Sequence, residues 1–103
     1  MAAKFHVEIT RTAQNDVIEI CDYIAHDSPQ AAEKFTNELE KQLDSLEHFP
    51  ERCALIPETE IFGGQYRHLI YKKYRTIFRI SDKTIYVLRV VHSARLLAQS
   101  LWE

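Results

Sequence analysis

The sequence predicts an α+β fold, a single domain of order β-α-α-β-β-β with a closing turn or helix. Three observations carry that prediction. Apolar residues recur at helical spacing from Ala13 to Leu46. From Tyr66 onward the chemistry changes to β-branched and aromatic residues. The links between those later runs are so short that only hairpins can join them. The length, 103 residues, suits one domain, since single cores usually take about 100–200 residues. With 46% apolar side chains, two glycines and three prolines, the chain is neither low-complexity nor disordered.

Lys4 to Thr10 alternates, with Phe5, Val7 and Ile9 on one side and Lys4, His6, Glu8 and Thr10 on the other, which predicts a half-buried strand. Thr10 or Thr12 can cap the helix that follows. Ala13, Val17, Ile20 and Ile24 form its apolar stripe, Asp16, Glu19 and Asp22 lie mostly in solvent, and it should stop near His26. Ser28-Pro29 starts a second helix, a capping hydroxyl followed by a proline at the first helical position. Ala32, Phe35, Leu39, Leu43 and Leu46 give its stripe, and Pro50 ends it. The short join makes an antiparallel helical hairpin. Residues 51–64, with Pro57 and Gly63-Gly64, read as loop. Strands are predicted over Tyr66–Tyr71, Tyr74–Ile80 and Thr84–Val91, joined by Lys72-Lys73 and Ser81-Asp82-Lys83, so the sheet is antiparallel. Ser93 can cap a last short helix carrying Leu96, Leu97 and Leu101. The helical hairpin would cover one face of the sheet and leave the other to the arginines.

No apolar run approaches the roughly 18 residues of a membrane span. Met1 to Thr10 has no apolar stretch of the signal-peptide kind, and Cys21 and Cys53 form no disulfide or zinc pattern, so a reducing cytoplasm is expected. The histidines lack ligand spacing, and no Gly-rich phosphate loop or nucleophile elbow occurs, so no metal or cofactor is expected.

Net charge is only −2, yet its distribution is lopsided. Residues 1–50 carry ten acidic and four basic side chains, and residues 51–103 carry five acidic and nine basic. Between positions 66 and 95, Arg67, Lys72, Lys73, Arg75, Arg79, Lys83, Arg89 and Arg95 stand against Asp82 alone. Such a half would either balance the acidic helices or meet an anionic partner. Guanidinium forks with one imidazole suit a phosphodiester: arginine matches phosphate oxygens and a histidine moves a proton near neutrality. Arg67, Arg75 and His92 are the candidate catalytic group. Arg79, Arg89, Arg95, Lys72 and Lys73 are candidates for holding phosphate or a partner.

Several blocks together resemble RelE/ParE toxins. They are Ala13-Gln14-Asn15-Asp16-Val17-Ile18-Glu19-Ile20, Asp22-Tyr23-Ile24-Ala25 and Asp27-Ser28-Pro29-Gln30-Ala31-Ala32 in the helical half, then Leu46 to Pro50. Tyr66-Arg67-His68-Leu69, Tyr74-Arg75-Thr76-Ile77-Phe78-Arg79-Ile80 and Val87-Leu88-Arg89-Val90-Val91-His92-Ser93-Ala94-Arg95 follow in the strands. The resemblance spans nearly the whole chain in order. It implies a growth-inhibiting toxin of a type II toxin–antitoxin module, also called a plasmid-stabilisation protein. A cognate antitoxin would wrap and neutralise it, in an assembly up to a heterotetramer or larger. The superfamily has two activities, poisoning of DNA gyrase in the ParE branch and ribosome-dependent mRNA cleavage through the RNA 2′-hydroxyl in the RelE branch. In nuclease members Arg75 matches a phosphate-contacting arginine, Arg67 falls near a basic residue of the preceding strand, and His92 lies where some members act on the leaving group. Two departures favour the ParE branch. Leu69 stands where RelE has a lysine, and the tail Ser100-Leu101-Trp102-Glu103 lacks RelE's late tyrosine. The first expectation is therefore a gyrase poison, and the alternative is an endoribonuclease.

Overall fold

The computed structural model describes residues 4–57 and 65–93. Strand β1 (His6–Ile9) leads into helix α1 (Arg11–Asp27), helix α2 (Pro29–Ser45) and one 3₁₀ turn (Pro50–Arg52). Strands β2 (Arg67–Tyr71), β3 (Tyr74–Ser81) and β4 (Thr84–His92) follow. The α+β class and element order are those predicted. The closing helix with Leu96, Leu97 and Leu101, and the candidate Arg95, lie outside the described residues.

Of the two possible caps for α1, Thr10 is the one used. Its hydroxyl oxygen accepts from the Ala13 N–H at 3.2 Å while its own proton goes to the Val87 carbonyl at 2.9 Å, so one side chain starts the helix and ties it to β4. Ser28 serves both helices. Its N–H donates to the Ile24 carbonyl at the end of α1, and its hydroxyl accepts from the Ala31 N–H at the start of α2. Helix α2 ends at Ser45, short of Pro50. Beyond it, Arg52 donates through one nitrogen to the carbonyls of His48 (2.9 Å) and Phe49 (3.1 Å). Those contacts hold Phe49 at a left-handed φ of 53°.

The sheet order is β1-β4-β3-β2. The three hairpin strands are antiparallel, as their short links require. β1 pairs with β4 in parallel, so the sheet is mixed rather than wholly antiparallel. The physical reason is connectivity: the intervening helical hairpin carries the chain away and back, which hairpin loops cannot do.

A second correction concerns alternation in β4. Ile77 pairs with Arg89, but Phe78 pairs with Val87, so Leu88 is an extra residue, a β-bulge. Beyond it the side-chain phase inverts. Ile85 and Val87 pack in the core under the helices with Ala13, Leu46, Cys53 and Phe78. After the bulge Val90 joins Val87 beside the helices, and His92 meets Tyr74 there. Val91 turns to the opposite face, where it packs with Ile56 and Ile77.

That opposite face was expected to be left to the arginines, and it is not. Residues 54–56 run along β2, with Ile56 N–H donating to the Tyr66 carbonyl and His68 N–H to the Ala54 carbonyl. Ile56 is thereby carried under the sheet and covers Ile77 and Val91. β3, second from one edge and covered on both faces, consequently buries Arg75, Thr76, Ile77 and Phe78 in succession.

Candidate functional site

The sheet's two faces divide the predicted site residues. Arg67 lies opposite Phe78 on the helix-facing side. Its guanidinium donates to the carbonyls of Glu51 (3.2 Å) and Cys53 (2.6 Å), so it holds the 3₁₀ turn against the sheet. Arg75 lies on the other side, opposite Ile70 and Val91, and is 3% exposed. One of its terminal nitrogens is 3.5 Å from His68 Nδ1. Because a guanidinium only donates, the imidazole nitrogen is the acceptor. His92 is back on the helix-facing side, exposed, with its ring edge-on to Tyr74 at 5.8 Å between centroids.

Arg67, Arg75 and His92 therefore do not converge on one patch, contrary to the expectation. Strand alternation splits the first two, and the bulge at Leu88 returns the third to the helical side.

Arg89 and Arg79 are dispersed as well. Arg89 is drawn to α1, where its Nε donates to Asp16 at 2.7 Å and a terminal nitrogen donates to the other carboxylate oxygen at 3.0 Å. Asp16 also accepts from the Val90 N–H at 3.0 Å, and the two side chains are only 12% and 11% exposed. Asp16, placed in solvent by its position off the apolar stripe, is instead a bidentate anchor. The bond to Asp16 holds the Arg89 guanidinium above the usual arginine range, against the opposing effect of burial. Arg79 is exposed and stacks over Tyr86, its guanidinium carbon 4.6 Å from the ring centre.

Lys72 and Lys73 form the β2–β3 loop, Lys72 with a left-handed φ of 51°. They border a cleft of about 210 Å³ between the bend of the helical hairpin and that loop. Ile24, Ala31 and Phe35 supply its helical wall, Tyr71 and Tyr74 its sheet wall, and Lys34 adds a third ammonium to the rim. Phe35 fixes the aromatic floor, with ring centroids 5.2 Å from Tyr74 and 6.2 Å from Tyr71. An apolar cleft ringed by ammonium groups can hold an apolar side chain flanked by carboxylates. Sequence reasoning found Lys72 and Lys73 by charge. It missed Lys34, which sits in the acidic half and reaches the rim only through folding.

The family model for the ParE toxin of type II toxin–antitoxin system, parDE, matches residues 7–97. The chain belongs to the ParE toxin family. It is the toxin component of a type II toxin–antitoxin module, within the superfamily that also holds RelE. Toxin RelE2 of Caulobacter vibrioides is 33% identical over 88 residues, covering 84% of this ParE-family chain and 93% of that protein. Two solved structures share the fold. One, from the chromosomal ParDE toxin–antitoxin system of P. aeruginosa, has a TM-score of 0.68 at 22% identity, covering 88% of this chain and 98% of its own. The other, from the toxin–antitoxin complex RelBE2 of Mycobacterium tuberculosis, has a TM-score of 0.63 at 23% identity, covering 92% and 98%. No helix among the described residues is long and apolar enough to cross a membrane.

Proposed function

We propose that this toxin acts as a ParE-like poison of DNA gyrase, and that its antitoxin engages the lysine-rimmed cleft. The observation that carries the first part is the separation of Arg67, Arg75 and His92. A nuclease needs its cations and its proton-transferring group around one phosphate, in geometry held to a fraction of an ångström. Here the sheet lies between Arg67 and Arg75, and Arg67 already satisfies two backbone carbonyls. Such a scaffold suits recognition of a protein surface better than in-line attack on RNA.

The test is induction in cells with two readouts, plasmid supercoiling with DNA breaks, and transcript ends mapped during translation. DNA breaks with intact transcripts are expected, unchanged in His92→Ala. Cut transcripts that vanish in His92→Ala would overturn the proposal. An RNA-cleaving toxin is the second reading, and it draws on the contact between Arg75 and His68, a cation beside an imidazole that accepts from it.

For the cleft, the complementary antitoxin segment is amphipathic and acidic. Binding should weaken as salt rises, because the three ammonium groups stand at an open rim. Replacing Lys34, Lys72 and Lys73 together with Gln should flatten that salt dependence. Binding indifferent to both changes would exclude the cleft as the docking place.

A further inference from the structure

Between α1 and the end of β4 lies a hollow that none of the roles above uses. β4 runs on past its pairing with β1, and there α1 takes the place of a strand along its edge. The Val90 N–H points outward from the sheet to Asp16, and the Val90 carbonyl points the same way, because both backbone groups of a strand residue share a side. Asp16, Glu19, Ile20 and Tyr23 recur at intervals of three and four, so one stripe of α1 looks onto this edge. The space between stripe and strand ends is open and holds about 320 Å³. Tyr23, Tyr74 and His92 bring three rings to it, and Ile20 and Val90 add apolar surface. Its charge follows from what is already paired. Arg89 donates to both oxygens of Asp16, so those two charges cancel. Glu19 is exposed and forms no ion pair among the described residues, yet it lies near enough to help hold the proton on Arg89. One negative charge is left over. Beside it Tyr23 is 74% exposed, and among the described residues no ring or cation is stacked on it.

We infer that this hollow receives an arginine side chain from a partner protein, an arginine flanked there by aliphatic residues. Two features select that occupant over others. A guanidinium lies flat on an aromatic ring and carries a fork of donors, which suits the exposed ring of Tyr23, the Glu19 carboxylate and the Val90 carbonyl together. An ammonium lacks the flat face, a neutral amide lacks the charge, and a carboxylate meets Glu19 with like charge. Ile20 and Val90 give the aliphatic neighbours of the arginine somewhere to lie. The site is distinct from the lysine-rimmed cleft, which takes the opposite charge. The two meet only at Tyr74, whose ring lines both. The inference does not depend on whether the target is gyrase.

The experiment titrates the full chain with four blocked tripeptides, Val-Arg-Val and its citrulline, lysine and glutamate counterparts, while NMR follows the ring protons of Tyr23 and His92. The arginine peptide should shift both rings saturably. Citrulline keeps the shape of arginine and loses its charge, so that peptide should bind at least about tenfold more weakly. The lysine peptide should fall between the two, and the glutamate peptide should leave the rings unmoved. Tyr23→Leu and Glu19→Gln, both at exposed positions of α1 outside the core, should each weaken the arginine peptide about three- to fivefold, with the dispersed spectrum showing that the fold is kept. Equal binding of the arginine and citrulline peptides overturns the inference. So does arginine binding that survives both substitutions at full strength, or a titration in which neither ring moves.

Discussion

Asp16 shows how one residue can do what its place along the helix hides. From α1 it satisfies an arginine fork and a strand N–H on β4, 73 and 74 positions away. Removing one partner of a largely buried ion pair is costly because the other is left uncompensated. Asp16→Ala should therefore lose about 3 kcal/mol of stability, read from urea unfolding. The double variant Asp16→Ala, Arg89→Leu should recover part of that loss, and a double variant with fully additive losses would show that the pair is not coupled. Cys53 offers a second test at this scale. Burial pushes its thiol above the usual range, although the nearby Arg52 and Arg67 pull the other way. Thiolate is the reactive form, so at mildly alkaline pH Cys53 is mostly protonated and slow. Half-buried Cys21, on α1 beside Thr36, should be alkylated well before Cys53 in the native protein, as mass spectrometry would show. Equal rates would contradict this.

At the level of elements, the caps explain why the helices begin where they do. Thr10→Ala deletes both an N-cap and a bond to β4, and should cost about 2 kcal/mol. Ser28→Ala loses its cap bond to Ala31 alone and should cost about 1 kcal/mol. Thermal unfolding of the two variants would rank them, and a larger effect at Ser28 would refute the double role of Thr10. The β2–β3 loop places Lys72 in left-handed backbone, which a side chain with a Cβ disfavours by about 1 kcal/mol. Lys72→Gly should regain part of that, while also removing a charge from the cleft. These boundaries were largely legible in the sequence: Thr10 and Ser28-Pro29 are local signals, and all three hairpin strands fall within a residue of their predicted ends. The bulge at Leu88 was not legible, since neither Gly nor Pro marks it and it arises where β1 stops pairing and α1 takes over the edge of β4.

Over the whole molecule, the charge asymmetry is real in composition but scattered in space. Arg67 is spent on the 3₁₀ turn, Arg89 on α1, Arg79 on Tyr86 and Lys83 on Phe5, while Lys72 and Lys73 gather with Lys34 from the helical half. The coverage of both sheet faces has its own consequence. Ile56 is 2% exposed and lies against Ile77 and Val91. Ile56→Ala should cost about 2–4 kcal/mol, a core-like loss measured by chemical denaturation, whereas an ordinary loop residue would lose almost nothing.

Periodicity, capping residues and link lengths sufficed to determine the elements, their order and the antiparallel hairpins, because those depend on neighbours a few residues apart. The family, too, was legible, since its blocks recur in sequence order. Only the tertiary structure decided the parallel seat of β1, the phase of β4 beyond Leu88 and the passage of Ile56 beneath the sheet. Each of these depends on a contact between distant segments, and a single inserted residue in a strand moves every later side chain to the other face. That geometry is why guanidinium groups close together in the chain stand apart in the fold.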